Sequence, residues 1–366
     1  MASLRPHRPI QDAPIDIFLL MTDHYEPHVS KPTPELARQR HNDWLTRYPQ
    51  ICSRHSDADG RAPQHTFCYP WDEYDDWEFT TLVQMCATGV GEVELHLHHK
   101  DDTEATLRHK LREALKLYRS HGALSQWPDG RPAFGFVHGD WALDNSRTAN
   151  GQNFCGVDNE ITVLKEEGCY ADFTFPSWQH ESQPRMLNSI YYAHDDPARS
   201  KSHDRGLRAR RGAPNSLDLL MLQGPLVPWL SRTAGIARPA MDDGDLAHYR
   251  RFSASRLDRW IRAGIHVQGC PNKIFVKIHC HGALDANREA MLGDDLDALY
   301  GDAEKRYNDG TRYRVHYVTA REAYNLVRAI EDGVDIDIAA ARDYILGPPA
   351  KNHSGSPSRS PASAAS

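Results

Sequence analysis

Short apolar runs alternate with segments of helical periodicity along most of this chain, and the alternation limits the fold more than any other feature. Each run is short enough for one strand, and most gaps between runs have room for a helix. The predicted strands lie near residues 16–22, 65–69, 91–98, 132–138, 171–175, 188–193, 217–222, 273–279 and 313–318. This repeated order predicts an α/β protein built on a parallel sheet or a barrel.

Two segments show the helical pattern clearly. Apolar residues recur at helical spacing over residues 104–121, and Gly122 is placed to end that helix. Later in the chain, Thr319 and Glu322 form a capping-box pattern, which predicts the start of another helix.

Size and composition are typical of a soluble globular enzyme, since 40% of the 366 residues are hydrophobic and 25% are charged. We predict one domain at residues 15–346. An N-terminal extension (1–14) precedes it, and a disordered tail (347–366), rich in Pro, Ser and Ala, follows it.

Charge and hydropathy restrict the partners. The net charge of −7 does not favour nucleic acid. The N-terminus lacks the apolar core of a signal peptide, and no apolar run approaches the roughly 18 residues of a membrane span. We therefore predict a cytoplasmic protein without a membrane span. Its seven scattered cysteines argue against a disulfide framework and against a cysteine-based zinc module.

Polar side chains with metal-binding or proton-transfer chemistry end several of the predicted strands. In the run at residues 91–98, alternation places Glu94, His96 and His98 on one face and apolar residues on the other. Three other strands end in similar groups, namely Asp23-His24, His138-Gly-Asp140 and His279-Cys-His281. Because the carboxyl ends of parallel strands meet at one edge, we expect these groups to form a site.

Two imidazoles spaced two residues apart on a strand can bind one divalent ion, and Asp23 or His24 would complete the ligand set. Three protein ligands leave a position for a water, whose proton a nearby carboxylate could accept. His279 or His281 is then the candidate general acid. Zinc is the expected ion, and nickel, cobalt and manganese are compatible with the same ligands.

Two further segments have alternative interpretations. Trp141 either stacks on a sugar or packs inside the protein, and Gly139 beside it allows a close backbone approach. The basic segment 199–211 is either a solvated surface or a clamp for a phosphate or uronate group.

These strand ends resemble the motifs of the polysaccharide deacetylase (NodB-homology) superfamily, the metal-dependent carbohydrate esterases of family 4 type. The first motif of that family ends in two aspartates, a base and then a metal ligand, and it is similar to Met21-Thr-Asp-His24. The second motif, Glu-Ile-Gly-x-His with a further histidine, is similar to Glu92-Val-Glu-Leu-His96. Lys100 stands where that second histidine is expected, so His98 or His99 must substitute. The final motif corresponds to Phe275-Val-Lys-Ile-His279.

The resemblance covers residues 15–335 and is nearest in style to the divergent WbmS-like branch. It implies a distorted (β/α)7-8 barrel of the glycoside hydrolase/deacetylase type. It also implies a hydrolase acting on non-peptide C–N amide bonds, which removes an acyl group, most often N-acetyl, from an amino sugar of bacterial surface polysaccharide metabolism.

The resemblance also implies roles for individual residues. The metal ligands would be His24, His96 and His98, the base Asp23 and the acid His279. The positions of the strand ends, rather than the resemblance, predict His138, Asp140, Trp141 and His281 as substrate-binding residues. Asp23 in place of His24 as the metal ligand stays an alternative at this point.

Two other functions are compatible with the same sequence. One is a metal-dependent phosphoesterase or amidohydrolase, whose barrels also carry a His-x-His strand. The other is a carbohydrate-binding protein with a decayed, inactive site. Phosphate release would indicate the first, and sugar binding without metal or acyl loss would indicate the second.

Overall fold

The computed structural model describes residues 13–149, 151–215, 217–233, 236–334 and 337–350. Most of the predicted N-terminal extension (1–14) and of the predicted tail (347–366) therefore lies outside the described residues. Within the described ranges, none of the helices is both long and apolar enough to span a membrane.

Strands and helices alternate over most of the chain. The strands are β1 (Ile15–His24), β2 (His65–Pro70), β3 (Gly91–Leu97), β4 (Ser125–Gln126), β5 (Pro132–His138), β6 (Thr148–Ala149), β7 (Gln152–Asn153), β8 (Cys169–Asp172), β9 (Ile190–Ala193), β10 (Leu207–Arg208), β11 (Leu219–Leu222), β12 (Val227–Thr233), β13 (Ile236–Asp242), β14 (Lys273–Cys280) and β15 (Tyr313–Tyr317). The helices are α1 (Pro34–Cys52), α2 (Asp76–Met85), α3 (Glu104–Ser120), α4 (Glu160–Glu166), α5 (Ala254–Ala263), α6 (Arg288–Met291), α7 (Asp294–Tyr307), α8 (Ala320–Glu331) and α9 (Ile338–Ala341).

A large, mostly parallel sheet forms the centre of the protein, which confirms the predicted α/β class. It contains 11 strands, nine of them in the order β10-β9-β11-β8-β5-β3-β2-β1-β14. The remaining two strands, β15 and β4, pair with β1 and β5. The antiparallel pairs are β10 with β9 and β9 with β11, at one end of the strand order, and the short β4 with β5.

The sequence pattern did not predict the hairpin of β12 and β13, which forms a separate two-stranded sheet. Each of its two strands contains a proline, Pro228 in β12 and Pro239 in β13. A proline cannot donate to a strand ladder, so such residues argue against a strand in a central sheet, although they are tolerated in a hairpin.

Strand β1 is central and has three partner strands. It pairs with β14 over almost its whole length. On its other side it pairs with β15 in its first half and with β2 in its second half. Only β2 and β14 therefore flank the carboxyl end of β1.

Both faces of the sheet are buried, which explains why β1 reads as an unbroken apolar run. Ile17, Leu19 and Met21 belong to one hydrophobic cluster, together with residues of α1, α2, α3 and α7. Phe18 and Leu20 belong to a second cluster, which α8 covers. We call these two sides the α1 face and the α8 face.

The two predicted helix boundaries are confirmed. Helix α3 spans Glu104–Ser120, and Gly122 just beyond it has a φ of 72°, a backbone conformation that glycine adopts at little cost. Helix α8 begins with the reciprocal capping box of Thr319 and Glu322.

Candidate metal centre

The carboxyl ends of β1 and β3 bring together two histidines and a glutamate. His24 ends β1, Glu26 follows it by two residues, and His96 lies near the end of β3. One ligand atom from each lies within 4.8 Å of the other two, and all three residues are buried. We call this group the His24 cluster. Two imidazoles and one carboxylate form a ligand set found in catalytic zinc sites.

Glu26 connects the His24 cluster to two further histidines. Its Oε1 lies 3.3 Å from Nε2 of His96 and 3.0 Å from Nε2 of His98. Its Oε2 lies 2.9 Å from Nδ1 of His281, which follows β14. The imidazoles of His24 and His281 are in contact, with ring centroids 4.6 Å apart. Three strands therefore contribute to one polar group on the α8 face.

The hydrogen bonds of His96 fit a cation in this position. Its Nδ1 lies 2.7 Å from the carbonyl of Val137, which only accepts, so the ring proton is on Nδ1. In the neutral ring, Nε2 then presents a lone pair toward the Glu26 carboxylate. Two acceptors that face each other at 3.3 Å fit a cation bound by both. Fixing the tautomer through the outer nitrogen is a common feature of metal-binding histidines.

Electrostatics favour the ligand forms of His24 and Glu26. Burial lowers the pKa of His24 well below its usual range, and the neighbouring His281 and His96 lower it further. Burial alone would raise the pKa of Glu26, but hydrogen bonding, that from His281 first, outweighs it, and the pKa lies well below its usual range. A neutral imidazole and an ionised carboxylate are the states that bind a metal.

His98 lies at the rim of the His24 cluster, where two carboxylates hold it. Besides Glu26, its Nδ1 is 3.1 Å from Oδ2 of Asp72, which also accepts from the His98 backbone N–H. Burial lowers the pKa of His98, but the bonds to Asp72 and Glu26 raise it overall, to about 10. The ring packs against Gly139, where any side chain would collide with it. Gly139 therefore provides the close approach predicted from the sequence.

Trp141 borders the same group of histidines. Its ring centroid lies 6.2 Å from that of His24 and 6.2 Å from that of His281, and 4.7 Å from that of His180. The tryptophan is half-buried, so part of the ring stays accessible. Asp140 and Trp141 have φ values of 56° and 55°, a backbone conformation that non-glycine residues rarely adopt.

Asp140 lies beside Trp141 and has two basic neighbours. Its carboxylate is 3.7 Å from Nζ of Lys100 and 3.7 Å from Nη1 of Arg147. Among the predicted substrate-binding residues, the structure therefore brings Trp141 and His281 to the His24 cluster, and Asp140 precedes Trp141 in the chain.

His279 shares a face of β14 with His281 but lies deeper. Its backbone N–H donates to the carbonyl of Gly244, and its Nδ1 has no hydrogen-bond partner within the described part of the chain. Burial lowers the pKa of His279 to about 3. A histidine that stays neutral at ordinary pH does not suit the predicted role of general acid.

The structure does not bring Asp23 to the His24 cluster. Asp23 has the strand parity of Met21, so its carboxylate is on the α1 face, where it is fully buried. Its Oδ1 accepts from the N–H of Gly282 at 2.6 Å, and its Oδ2 is 3.1 Å from Nε2 of His65. The predicted base role of Asp23, and its alternative role as a metal ligand in place of His24, are therefore corrected to a structural role.

His138 is also on the α1 face. It follows Phe134 and Phe136 in strand parity and is fully buried, with Nε2 3.5 Å from Oε1 of Glu160. The prediction that His138 binds substrate at the same site as Trp141 is wrong for this reason. Cys280 is on that face too, near Asp23 and His65, as strand alternation predicts.

Sequence reasoning missed Glu26 because the residue lies beyond the predicted end of β1. Its signal was the parity of Thr22, His24 and Glu26, which places all three on one side of an extended chain. The sequence pattern also gives no functional signal for the acidic residues after β2. Asp72 in fact binds His98, and burial raises the pKa of the adjacent Glu73 to about 6.

The basic segment 199–211 lies on the surface around β10. Arg205, Arg210 and Arg211 are exposed, and Lys201 donates to the carbonyl of Glu181 at 2.6 Å. Binding of an acidic group by this segment stays a prediction.

Neither a comparison with protein-family models nor a comparison with curated protein sequences finds a match for this chain. The resemblance to the polysaccharide deacetylases therefore stays a prediction.

Proposed function

We propose that this protein is a metal-dependent hydrolase that removes an acyl group, most often N-acetyl, from an amino sugar of bacterial surface polysaccharide metabolism. The His24 cluster carries the proposal, because it combines two imidazoles and one carboxylate with further histidines and an accessible tryptophan. The expected surroundings are the cytoplasm, and the expected fold is a distorted (β/α) barrel of the deacetylase type.

One buried contact across the sheet supports the barrel. Lys277 on β14 points to the α8 face, and its Nζ donates to the carbonyls of Phe173 and Phe175, just after β8. β14 and β8 lie far apart in the strand order. A direct contact between them requires strong curvature of the sheet, which is what a distorted barrel has.

In this proposal His24, Glu26 and His96 hold a divalent ion, with zinc the expected metal and nickel, cobalt and manganese compatible. The bound ion supplies Lewis acidity toward a carbonyl oxygen and a water. Hydrogen bonds hold its ligands in place, since Val137 fixes His96 and His281 orients Glu26. His98, predicted as the third ligand, instead acts at the rim, where its positive charge favours a developing oxyanion.

Proton donation to the leaving amine is assigned to His281, one of the two histidines that the sequence offered. Its side chain is 27% exposed and bonded to Glu26. Burial alone would lower the pKa of His281, but the bond to Glu26 raises it overall. His281 can therefore both carry a proton and reach a substrate.

Proton uptake is assigned to Glu73, since Asp23 is on the other face. Oε2 of Glu73 is buried without a hydrogen-bond partner among the described residues. Burial and the nearby charge of Glu26 raise the pKa of Glu73 to about 6. A carboxylate with a pKa near the working pH suits a general base.

Trp141 provides the sugar-binding surface in this proposal. An accessible indole ring beside the histidines offers a flat apolar face for a sugar ring. The neighbouring Asp140 is placed to accept hydrogen bonds from sugar hydroxyls.

The test combines elemental analysis with product detection, using wild type, His96→Ala and the surface control His194→Ala. We expect wild type and the control to hold metal in the His24 cluster and to release acetate from N-acetylated amino sugars. We expect His96→Ala to hold about one metal equivalent less per chain than the control and to release no acetate. His194 is an apt control because its side chain is 83% exposed. Release of phosphate from sugar phosphates without acetate would replace the proposal by the phosphoesterase alternative. Sugar binding without metal or turnover would replace it by the binding-protein alternative.

A further inference from the structure

We propose that His99, His138, Cys155 and Glu160 form a second metal site, which binds a structural divalent ion of the zinc type. One ligand atom from each of the four residues lies within 4.8 Å of the others, and all four residues are buried. We call this group the Cys155 cluster. It is separate from the His24 cluster and does not depend on the reaction proposed above.

Glu160 is the centre of the Cys155 cluster. Its Oε1 lies 2.9 Å from Nε2 of His99 and 3.5 Å from Nε2 of His138. Its Oε2 lies 3.3 Å from Sγ of Cys155. Four protein donors of the His, Cys and carboxylate types, closed from solvent, are typical of structural rather than catalytic zinc sites.

His138 provides the observation that points to a ligand. Its Nδ1 lies 2.5 Å from the carbonyl of Gly139, which only accepts, so the ring proton is on Nδ1. Nε2 therefore carries a lone pair, which is aimed at the carboxylate of Glu160. That nitrogen is buried and has no hydrogen-bond partner among the described residues. An orphaned buried acceptor is costly, and a cation bound between it and Glu160 removes the cost.

Cys155 has the surroundings of a metal-bound thiolate. The backbone N–H of Val157 donates to its sulfur at 3.4 Å, which stabilises negative charge there. Without a cation, a thiolate 3.3 Å from the Glu160 carboxylate would be repelled by it. A divalent ion balances the two negative formal charges of the carboxylate and the thiolate.

Further polar contacts place the ligands from outside. Nδ1 of His99 lies 3.2 Å from Oδ2 of Asp102, which Lys110 also contacts at 2.7 Å. The backbone N–H of Asp144 donates to Oε2 of Glu160 at 2.6 Å. A carboxylate on the outer nitrogen of a metal-binding histidine is a common arrangement around zinc.

The four ligands come from separate segments of the chain. His99 follows β3, His138 ends β5, Cys155 follows the small β6–β7 hairpin and Glu160 begins α4. An ion bound here would tie these segments together. It would also fix the start of the 139–141 turn, which carries Trp141 to the His24 cluster.

The test uses cobalt(II) as the probe, because a thiolate ligand to cobalt gives an intense charge-transfer absorption in the near ultraviolet that imidazole and carboxylate ligands do not give. We expect this absorption in cobalt-reconstituted full-length protein and in its His96→Ala variant, which keeps the Cys155 cluster. We expect it to be absent from Cys155→Ser. Cys270→Ser, at a thiol outside both clusters, is the matched control and should keep it.

A second measurement uses His96→Ala protein loaded with zinc, in which the His24 cluster no longer holds metal. We expect about one metal equivalent per chain, and a lower Tm after chelation, because metal bound only by the folded state stabilises it. Folded wild type that lacks the cobalt–thiolate absorption would overturn the inference, as would the same absorption in Cys155→Ser. Neither result depends on whether the protein releases acetate.

Discussion

His98 and His99 are adjacent in the chain, yet their imidazoles belong to clusters on opposite faces of the sheet. Nε2 of His98 lies 3.0 Å from Oε1 of Glu26, whereas Nε2 of His99 lies 2.9 Å from Oε1 of Glu160. The pair follows directly after β3, so strand alternation separates the two side chains. His98 therefore lies at the proposed catalytic site, and His99 lies with His138.

Glu26→Gln should remove metal from the His24 cluster, because it takes away the charged ligand and keeps the shape. We expect binding at least about 100-fold weaker, since the loss of an outer partner of a ligand alone costs about 10–100-fold. Metal titration of the variant against wild type measures the effect. Unchanged affinity would exclude Glu26 as a ligand.

In contrast to Glu26→Gln, Asp23→Asn should affect stability and not metal binding, because Asp23 bonds to Gly282 and His65 on the α1 face. We expect metal in the His24 cluster to be retained and the free energy of unfolding to fall by about 1–3 kcal/mol, the cost of weakening buried hydrogen bonds. Urea unfolding and elemental analysis of the same sample separate the two effects. Loss of metal without loss of stability would indicate that Asp23 contributes to metal binding in the His24 cluster.

Gly139→Ala should displace His98, because the new side chain would collide with its ring. We expect kcat to fall by at least about tenfold, because loss of a hydrogen-bond partner of a metal ligand, here the contact of His98 with Glu26, typically costs about 10–100-fold. Gly301→Ala, inside α7 with no close contact, is the control and should stabilise the helix slightly. Equal activity of both variants would mean that the position of His98 does not matter.

Trp141→Ala should raise KM for an amino-sugar substrate by about 2–12-fold, the range that corresponds to about 0.5–1.5 kcal/mol for an aromatic contact. Trp141→Phe should keep most of the affinity, because it retains a flat ring. Trp77→Ala, at an exposed tryptophan on α2, should leave KM unchanged. A wild-type KM in Trp141→Ala would show that the indole only packs.

Glu73→Gln should lower kcat by about 100-fold or more, because a positioned general base contributes about 10²–10⁴-fold. In wild type, activity should decline as the pH falls through about 6, where the Glu73 carboxylate gains a proton. The variant should lose this acidic limb and keep its metal. A pH–rate profile of unchanged shape would assign the proton to another group.

The carboxylate of Asp242, which lies outside the His24 cluster, should make the stability of the protein depend on pH. This carboxylate accepts from Trp260 at 2.9 Å, and from Arg256 at 3.0 Å and Arg259 at 2.8 Å. Burial alone would raise the pKa of Asp242, but these donors, Arg256 first, lower it to about 2. A carboxyl whose pKa is depressed in the folded state stabilises that state above the unfolded pKa of 3.8. This contribution is lost as the pH falls toward about 2.

Asp242→Asn should therefore destabilise the protein by about 3–5 kcal/mol at neutral pH, as expected when one partner of a buried ion pair is removed. The difference in free energy of unfolding between variant and wild type should become smaller below a pH of about 4. Asp129→Asn, in an exposed pair with Arg131, is the control and should leave Tm unchanged. A difference in free energy of unfolding that stays constant down to pH 2 would contradict the stabilising role of the ionised Asp242 carboxylate.

Much of the sheet could be predicted because short apolar runs have few alternatives in a chain of this size. Residues 91–98 were especially informative, since their polar and apolar side chains alternate. That pattern correctly predicts that Val93 and His96 point to opposite faces of the sheet.

The directions of Asp23 and His138 could not be predicted in the same way. Strands β1 and β5 are apolar on both faces, so neither strand shows which parity faces the histidines. Sequence motifs place Asp23 and His24 together, but only the packing of Met21 and Leu20 decides which of the two points to His96. The Cys155 cluster was hidden for another reason, since its four ligands come from separate segments with no repeated spacing.

Because β1 pairs with three strands, the centre of the sheet is completed only late in synthesis. Two of these partners, β14 and β15, come from the C-terminal part of the chain. A nascent chain that ends before residue 273 leaves β1 with unpaired backbone groups, which strands of other molecules can occupy.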